Sequence, residues 1–399
     1  MTDTHRAGEV FRAFLLLGLS AFGGPIAHLG YFRSEFVTRR GWLDEHAYAD
    51  LVALCQFLPG PASSQVGFAL GLLRGGPLGG LAAWTAFTLP SALLLMLFAL
   101  GAASLAGPLG SGLLHGLKVV AVAIVAHAVW GMARTLCPDR ARATIAVAAA
   151  LLVIVAAGPG GQVMAIGLGG LAGLACCREN GRARPAVLGF GISRRAGLAC
   201  LVAFVGLLLG LPLLVQAGAG EGVALVDAFY RAGALVFGGG HVVLPLLEAE
   251  VVRSGWVAAD DFLAGYGAAQ AIPGPLFTFS AYLGMVMAPA PGGTIGALLA
   301  LVAIFMPGLL LLVGVMPFWN ALRTRPAVQA LMRGANAAVV GLLAATLYQP
   351  VWTSAILGSA EFTLALVGFT LLSVWRRPAW LVVLVCGLGG MALGLPSPP

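Results

Sequence analysis

The sequence predicts an all-α integral membrane protein made of two inverted-topology homologous repeats, each with broken, re-entrant glycine–proline helices, joined by one extra transmembrane helix. Three observations predict it: an apolar composition, a long internal repeat with paired glycine–proline signatures, and the placement of Lys and Arg. Of 399 residues, 60% are hydrophobic and 9% charged, with mean hydropathy +0.97; soluble domains carry about 25% charged residues. Stretches 77–107, 112–133, 143–157, 161–177, 196–217, 292–316, 330–348, 361–375 and 379–395 are mostly apolar. Several reach the ~20 residues a helix needs to cross ~30 Å of hydrocarbon. The formal charge of +7 does not point to nucleic acid, because the basic residues sit singly or in short groups between apolar segments. Cys55, Cys137, Cys176, Cys177, Cys200 and Cys386 lie in or beside those segments without metal-ligand spacing and read as packing residues. Residues 10–21 are apolar but lead into "FGGP" rather than a cleavage site, so the first apolar segment is expected to stay in the protein.

The repeat is read by aligning "AFGGPIAHLGYFRSEFVTRRGWL" (21–43) with "VFGGGHVVLPLLEAEVVRSGWV" (236–257). Phe22 pairs with Phe237, Gly23 and Gly24 with Gly238 and Gly239, Glu35 with Glu250, and Trp42 with Trp256. Then "QFLPGPASSQVGFALG" pairs with "QAIPGPLFTFSAYLG", and "GLKVVAV" with "GANAAVV", which sets Lys118 opposite Asn336. Two such signatures in one order and spacing mark a long internal repeat. The expected divisions are a first repeat at 1–177, a basic loop with a linking helix at 178–221, and a second repeat at 222–399.

Lys and Arg orient the chain. With the N-terminus in the cytoplasm, 9–32 and 47–73 each dip into the membrane and return, which keeps Arg33, Arg39, Arg40 and Arg74 inside. Four crossings follow, and segment 196–217 is an unpaired fifth. The second repeat therefore starts from the opposite side, and the C-terminus is expected in the periplasm. Of all the basic residues, Lys118, Arg231 and Arg253 alone escape the cytoplasmic face, in agreement with the positive-inside rule. Full crossings at the glycine–proline segments would keep the parity but turn Arg33, Arg39 and Arg40 outward, so the re-entrant version is preferred. Inverted repeats with broken helices point to a secondary transporter.

Broken backbone at membrane depth is tolerated where protein buries it or where it lines a wet cavity. In "LPGP", Pro59 and Pro61 prevent a continuous helix and Gly60 allows a tight turn. The helix restarting at Pro61 carries Ser63 and Ser64 in its first turn. Its counterpart, after Pro273 and Gly274, restarts at Pro275 with Thr278, and Gln56 and Gln270 stand just before the two breaks. A helix start with free N–H groups is an anion site. Phe22, Gly23, Gly24 and Pro25, with Phe237, Gly238, Gly239 and Gly240, add breaks that let backbone approach a ligand. The chemistry suggested is a small anion held by amides and hydroxyls.

Two basic residues within apolar segments, Lys118 and Arg231, are candidate counter-charges; snorkelling to an interface is the competing reading for both. His28 and His241 follow the glycine breaks and are proton-coupling candidates, with packed, hydrogen-bonded histidines as the alternative. Glu35 and Glu250 are further candidates, although their charged surroundings read as solvated loops, and Arg253 reads as a solvated charge. No nucleotide loop, nucleophilic triad or metal spacing occurs, so no cofactor and no metal is expected. "GLGGLAG" (167–173) reads as a helix-packing face.

At "AFGGP", "RRGWL", "QFLPGP", "VFGGG", "RSGWV" and "QAIPGPLFTF" the sequence resembles the chromate ion transporter family in its long form, with two fused homologous halves, over nearly the whole chain. The resemblance implies export of chromate, a sulfate-like oxyanion, across the bacterial inner membrane, giving chromate resistance. Export would be driven by membrane potential, with proton antiport allowed but not required. A sulfate or other oxyanion carrier and a passive anion channel are the alternatives. A chromate-reducing enzyme is the competitor of another class, and its flavin, haem or thiol motifs are not seen. The expected partners are the oxyanion and the lipid bilayer, not nucleic acid, and a homodimer is left open. One departure stands out: the basic position before the first glycine break, often Lys in such proteins, is Leu16, and only Arg231 keeps it.

Overall fold

Glycine and proline decide where each helix of this chain stops. The computed structural model describes residues 3–22, 24–102, 108–156, 158–177, 191–237, 242–288, 291–322 and 325–393, all helix and connecting turns with no strand among them. Helix α1 (Asp3–Ser20) ends at the first glycine break, and α2 (Gly24–Phe32) continues as a π-helical turn over Arg33–Arg39. Helix α3 (Glu45–Phe57) is capped by the Asp44 carboxylate, which accepts from the Ala47 N–H, and it stops at the LPGP break. Helix α4 (Ala62–Ala102) is two helices joined at a kink, because Gly75 and Gly76 leave helical geometry and Gly76 takes φ +63°.

The ends of these limbs lie at one level. Glu9 of α1 pairs with Arg74 at 2.9 Å and with Arg40 at 3.7 Å, and Arg40 and Arg74 both stack on the Trp42 ring. So α1–α2 and α3 with the first limb of α4 each go in and come back, as re-entrant hairpins. The 13 residues of α3 span about 20 Å, less than the ~30 Å of a full crossing.

Next come the second part of α4, α5 (Pro108–Leu136), α6 (Arg140–Val155, capped by Asp139), α7 (Pro159–Cys176) and α8 (Arg194–Gln216, capped by Ser193); α4, α5 and α8 are long and apolar enough to cross a membrane, and α6 and α7 are shorter. Five passes move the chain to the opposite face before the second repeat begins. There α9 (Glu221–Ala234) goes in, and α10 (Val243–Leu247) returns, again finishing in a π-helical turn, Glu248–Val252. Helix α11 (Ala259–Ala271) goes in, and a short turn over Leu276–Thr278 with α12 (Phe279–Val286) returns to the level of Trp256, whose carbonyl accepts from the Ala288 N–H at 3.1 Å. The remaining passes are α13 (Gly293–Val315), α15 (Pro326–Thr346), α17 (Ser359–Ser373) and α18 (Ala379–Leu393); α14 (Trp319–Leu322) and α16 (Thr353–Ala355) are short connectors.

The repeats interlock. Helix α7 packs on α15, where Gly173 lies against Gly334, and α5 packs on α18, where Gly116 lies against Gly387 and Gly390. Within 167–173, Gly169 and Gly173 are therefore a helix-packing face, since only a missing Cβ lets two helices come this close, whereas Gly167 has nothing against it. Helix α8 packs on α9 and α13 and leaves Leu198, Val202, Val205, Leu209 and Leu213 exposed, as suits a peripheral helix in lipid. The largest apolar core draws residues from both repeats.

Candidate functional site

The four breaks meet in a crossed pattern. The Gly60 N–H in the first PGP turn donates to the Val236 carbonyl at 2.7 Å, and the Gly274 N–H in the second donates to the Ala21 carbonyl at 3.0 Å. Ala21 and Val236 immediately precede Phe22 and Phe237, so each proline–glycine–proline turn is bonded to the phenylalanine–glycine break of the other repeat. Both turns need glycine, with φ +123° at Gly60 and +107° at Gly274. Gly60 presses on the backbone of α13 at Gly308, and Gly274 on the Ser91 side chain of α4. These contacts sit beside in-helix prolines, Pro307 and Pro90.

Side chains close part of the surrounding polarity. Gln65, fully buried, donates through Nε2 to the Pro59 carbonyl at 3.0 Å and the Gly308 carbonyl at 2.9 Å. His28 is buried between the Ala21 carbonyl (Nε2, 3.1 Å) and Ser63 Oγ (Nδ1, 3.4 Å), with its ring edge-on to Phe87. If Nε2–H donates to the carbonyl, Nδ1 of the neutral ring is left to accept from the Ser63 hydroxyl. Thr278 Oγ1 donates to the Pro275 carbonyl at 2.6 Å. Ser63 and Thr278 are thus satisfied by the protein itself.

Another set of polar atoms is not. Ser64 Oγ, Gln65 Oε1, Thr88 Oγ1, Gln270 Nε2 and Ser280 Oγ are buried without a hydrogen-bond partner. Buried polar groups are normally paired, and an unpaired one calls for a ligand, a water or a functional role. Four of the five can donate: three hydroxyls and one amide. Each lies on a helix that enters or leaves a PGP turn, or, for Thr88, one turn from the Ser91 that touches Gly274. Ser64 and Gln270 are among the residues singled out from the sequence; Gln65, Thr88, Ser91, Ser280 and Gly308 are not. The prolines at 90 and 307, each inside a long apolar segment after the PGP turn, are the signal that could have found the last group.

Comparison with known families finds both repeats. The family model described as "Chromate transporter" matches residues 8–174 and again 223–391. The chain belongs to the chromate transporter family. A "Chromate transport protein" of Pseudomonas aeruginosa is 28% identical over 96% of this chain and 90% of its own length. A "Probable chromate transport protein" of Synechococcus elongatus is 28% identical over 84% of the chain and 82% of its own length. A "Chromate transport protein" of Cupriavidus metallidurans is 29% identical over 86% and 84%. No solved structure matches.

The other predicted positions of this chromate transporter family member divide between the crossed turns and places apart from them. Gln56 is exposed at the end of α3, whereas Gln270 is half-buried, so the two repeats differ there. Lys118 Nζ pairs with Asp260 Oδ1 at 2.9 Å at the start of α11, away from the PGP tip. Asn336 Oδ1 is buried without a partner. Phe22, Gly24, Pro25, Pro59, Pro61, Phe237, Pro273 and Pro275 all lie at the breaks, while Gly23, Gly238, Gly239, Gly240 and His241 fall outside the described residues.

The solvated-loop reading of the two glutamates and of Arg253 needs correction. Glu35 accepts from Arg39 at 2.9 Å and from Arg40 at 2.6 Å. Glu250 accepts from Arg231 at 2.9 Å, and Arg253 pairs with Glu248. The return limbs continue as helix and π-turn to Arg39 and Val252, which folds these charges against the hairpins instead of leaving them in loops. Arg231, one turn before the second break, also holds Asp227 Oδ2 at 3.0 Å. Leu16, at the matching place in the first repeat, is exposed, so the basic position is filled on one side only.

Proposed function

We propose that the protein is a secondary carrier exporting chromate, or a sulfate-like oxyanion, from the cytoplasm across the bacterial inner membrane, and that this export confers chromate resistance. The observation that carries the reading is the crossed pair of PGP turns, with buried hydroxyls and an amide that lack partners on the helices flanking them. Such groups suit a compact oxyanion, which offers acceptors in every direction and needs donors without bulk. Helix starts after Pro61 and Pro275 would add positive dipole ends from opposite repeats.

Energetics favour export. Moving one charge through 100 mV is worth ~2.3 kcal/mol. For a dianion leaving a cell held at roughly 150 mV this sums to about 7 kcal/mol, a gradient on the order of 10⁵. A coupling proton is therefore not required, and antiport remains an addition rather than a necessity. In this orientation the N-terminus and the Glu9–Arg40–Arg74 cluster face the cytoplasm, and the Trp256 level faces the periplasm.

Purified protein in proteoliposomes tests the reading. Chromate and sulfate flux that saturates, and that is accelerated by unlabelled substrate on the far side, marks a carrier. Linear flux without exchange marks an anion channel, and appearance of Cr(III) marks a reductase.

A further inference from the structure

On the second hairpin one cation serves two acids. Arg231 Nη2 lies 3.0 Å from Asp227 Oδ2 and 2.9 Å from Glu250 Oε2, and the two carboxylate side chains are only 7% and 10% exposed. Asp227 Oδ1 and Arg231 Nε are buried without partners. The Arg231 side chain as a whole is 31% exposed. With both acids ionised the trio carries one net negative charge inside an apolar scaffold, an expensive arrangement that a proton or a compensating ligand relieves. The matching places in the first repeat hold Arg12, Leu16 and Glu35. There Glu35 is held by Arg39 and by Arg40, and Glu9, which shares Arg40, also has Arg74, so the three arginines outnumber the two acids and the acid excess belongs to the second repeat.

Neighbouring charges leave this balance in place. On the return limb Glu248 is matched by Arg253. Helix α11, which packs on that limb, carries Asp260, matched by Lys118, and Asp261. Helix α9 adds Glu221 in its first turn, and α10 adds nothing. Helix α13 has no ionisable side chain, and the arginines of α8, Arg194 and Arg195, start that helix at the other face.

We propose that Asp227, Arg231 and Glu250 form a proton-linked oxyanion site, in which the carboxyl pair takes up one proton for each dianion that Arg231 accepts. The proposal rests on the oxyanion reading above and adds a sign to it. An arginine already holding two carboxylates offers an incoming dianion no net attraction. Protonating one acid leaves the trio neutral, and the guanidinium N–H groups it releases can then turn to the ligand. Anion and proton binding therefore favour each other, and by linkage each tightens the other equally. The proton travels with the anion, so each cycle moves one net negative charge instead of two; exchange of a proton against the anion would need the opposite sign.

The test uses the purified full chain and sulfate or selenate, which keep two charges across the range, in place of chromate, which itself takes up a proton near neutrality. Affinity should tighten as pH falls from about 8 towards 6, with a limiting slope of about ten-fold per unit where the free site is still ionised. Calorimetry in buffers of different ionisation enthalpy should report about one proton taken up per anion. Glu250→Gln and Asp227→Asn imitate the protonated acids: each should bind at pH 8 as the wild type binds near pH 6, with the slope and the proton uptake lost. Binding without a pH slope in the wild type overturns this inference and leaves the oxyanion reading standing, as does an unchanged slope in both variants. Absence of sulfate, selenate and chromate binding at every pH overturns both. The proton count on the wild type needs no variant to fold.

Discussion

Gly60→Ala is the sharpest probe of the crossed turns. At φ +123° a side chain is strained wherever it points, at a cost of about 1–3 kcal/mol. The added Cβ would stand 2.9 Å from the Gly308 Cα and 2.9 Å from Gln65 Nε2. The glutamine tip can turn aside, but the α13 backbone cannot, and such overpacking costs about 1–3 kcal/mol. Relief requires the PGP tip to withdraw, which breaks the 2.7 Å bond from Gly60 to Val236, worth about 1 kcal/mol net. Because withdrawal relieves the overpacking, the cost is the strain plus one of these two, about 2–6 kcal/mol; it falls on one tip of a large helical scaffold, so the protein should still insert with that tip displaced. Transport in proteoliposomes should fall at least ten-fold, with a lowered Tm in detergent. Gly274→Ala meets mainly the Ser91 side chain, at 2.8 Å from Oγ and 3.1 Å from Cβ; it should be milder and partly rescued by Ser91→Gly. Wild-type flux in Gly60→Ala, or no rescue of Gly274→Ala, would refute the reasoning.

Further expectations follow from the same geometry. Pro61→Ala and Pro275→Ala should each impair transport at normal membrane levels, because alanine lets the helix run through the break; unimpaired flux in both would take the anion away from these turns. If Lys118 attracts the oxyanion, Asp260 competes for it, so Asp260→Asn should tighten apparent affinity and Lys118→Gln weaken it, each by several-fold; equal insensitivity at matched expression makes the pair structural. Ser64→Ala and Ser280→Ala should raise the KM for oxyanion with little loss of Tm, since neither hydroxyl has a protein partner to lose; a large drop in Tm with unchanged KM would make them structural. A C-terminal reporter active only in the cytoplasm should stay silent, and a signal from it would overturn the inverted arrangement.

Features that depend on local backbone chemistry were legible in the sequence. The doubled Pro-Gly-Pro could not be read as continuous helix, and the glycine breaks and arginine placement sufficed for re-entrant hairpins and inverted halves. Contacts between the halves were not legible. Nothing near Gly60 says that its N–H reaches Val236, because that bond exists only once two distant hairpins pack. The charged stretches 33–40 and 248–253 read as solvated loops because local polarity does not reveal that a π-turn carries them back against a hairpin. The Asp227–Arg231 pair, four residues apart on one helix, was within reach of helical spacing alone, whereas its third member, Glu250, was not.

The most direct test of the central claim is chromate counterflow in proteoliposomes holding the purified protein at a clamped membrane potential. The account predicts saturable chromate entry that is stimulated by chromate or sulfate preloaded inside, responds to voltage as net negative charge movement, and falls sharply in Gly60→Ala. Flux that never saturates and ignores preloaded substrate, or that survives Gly60→Ala unchanged, would contradict it.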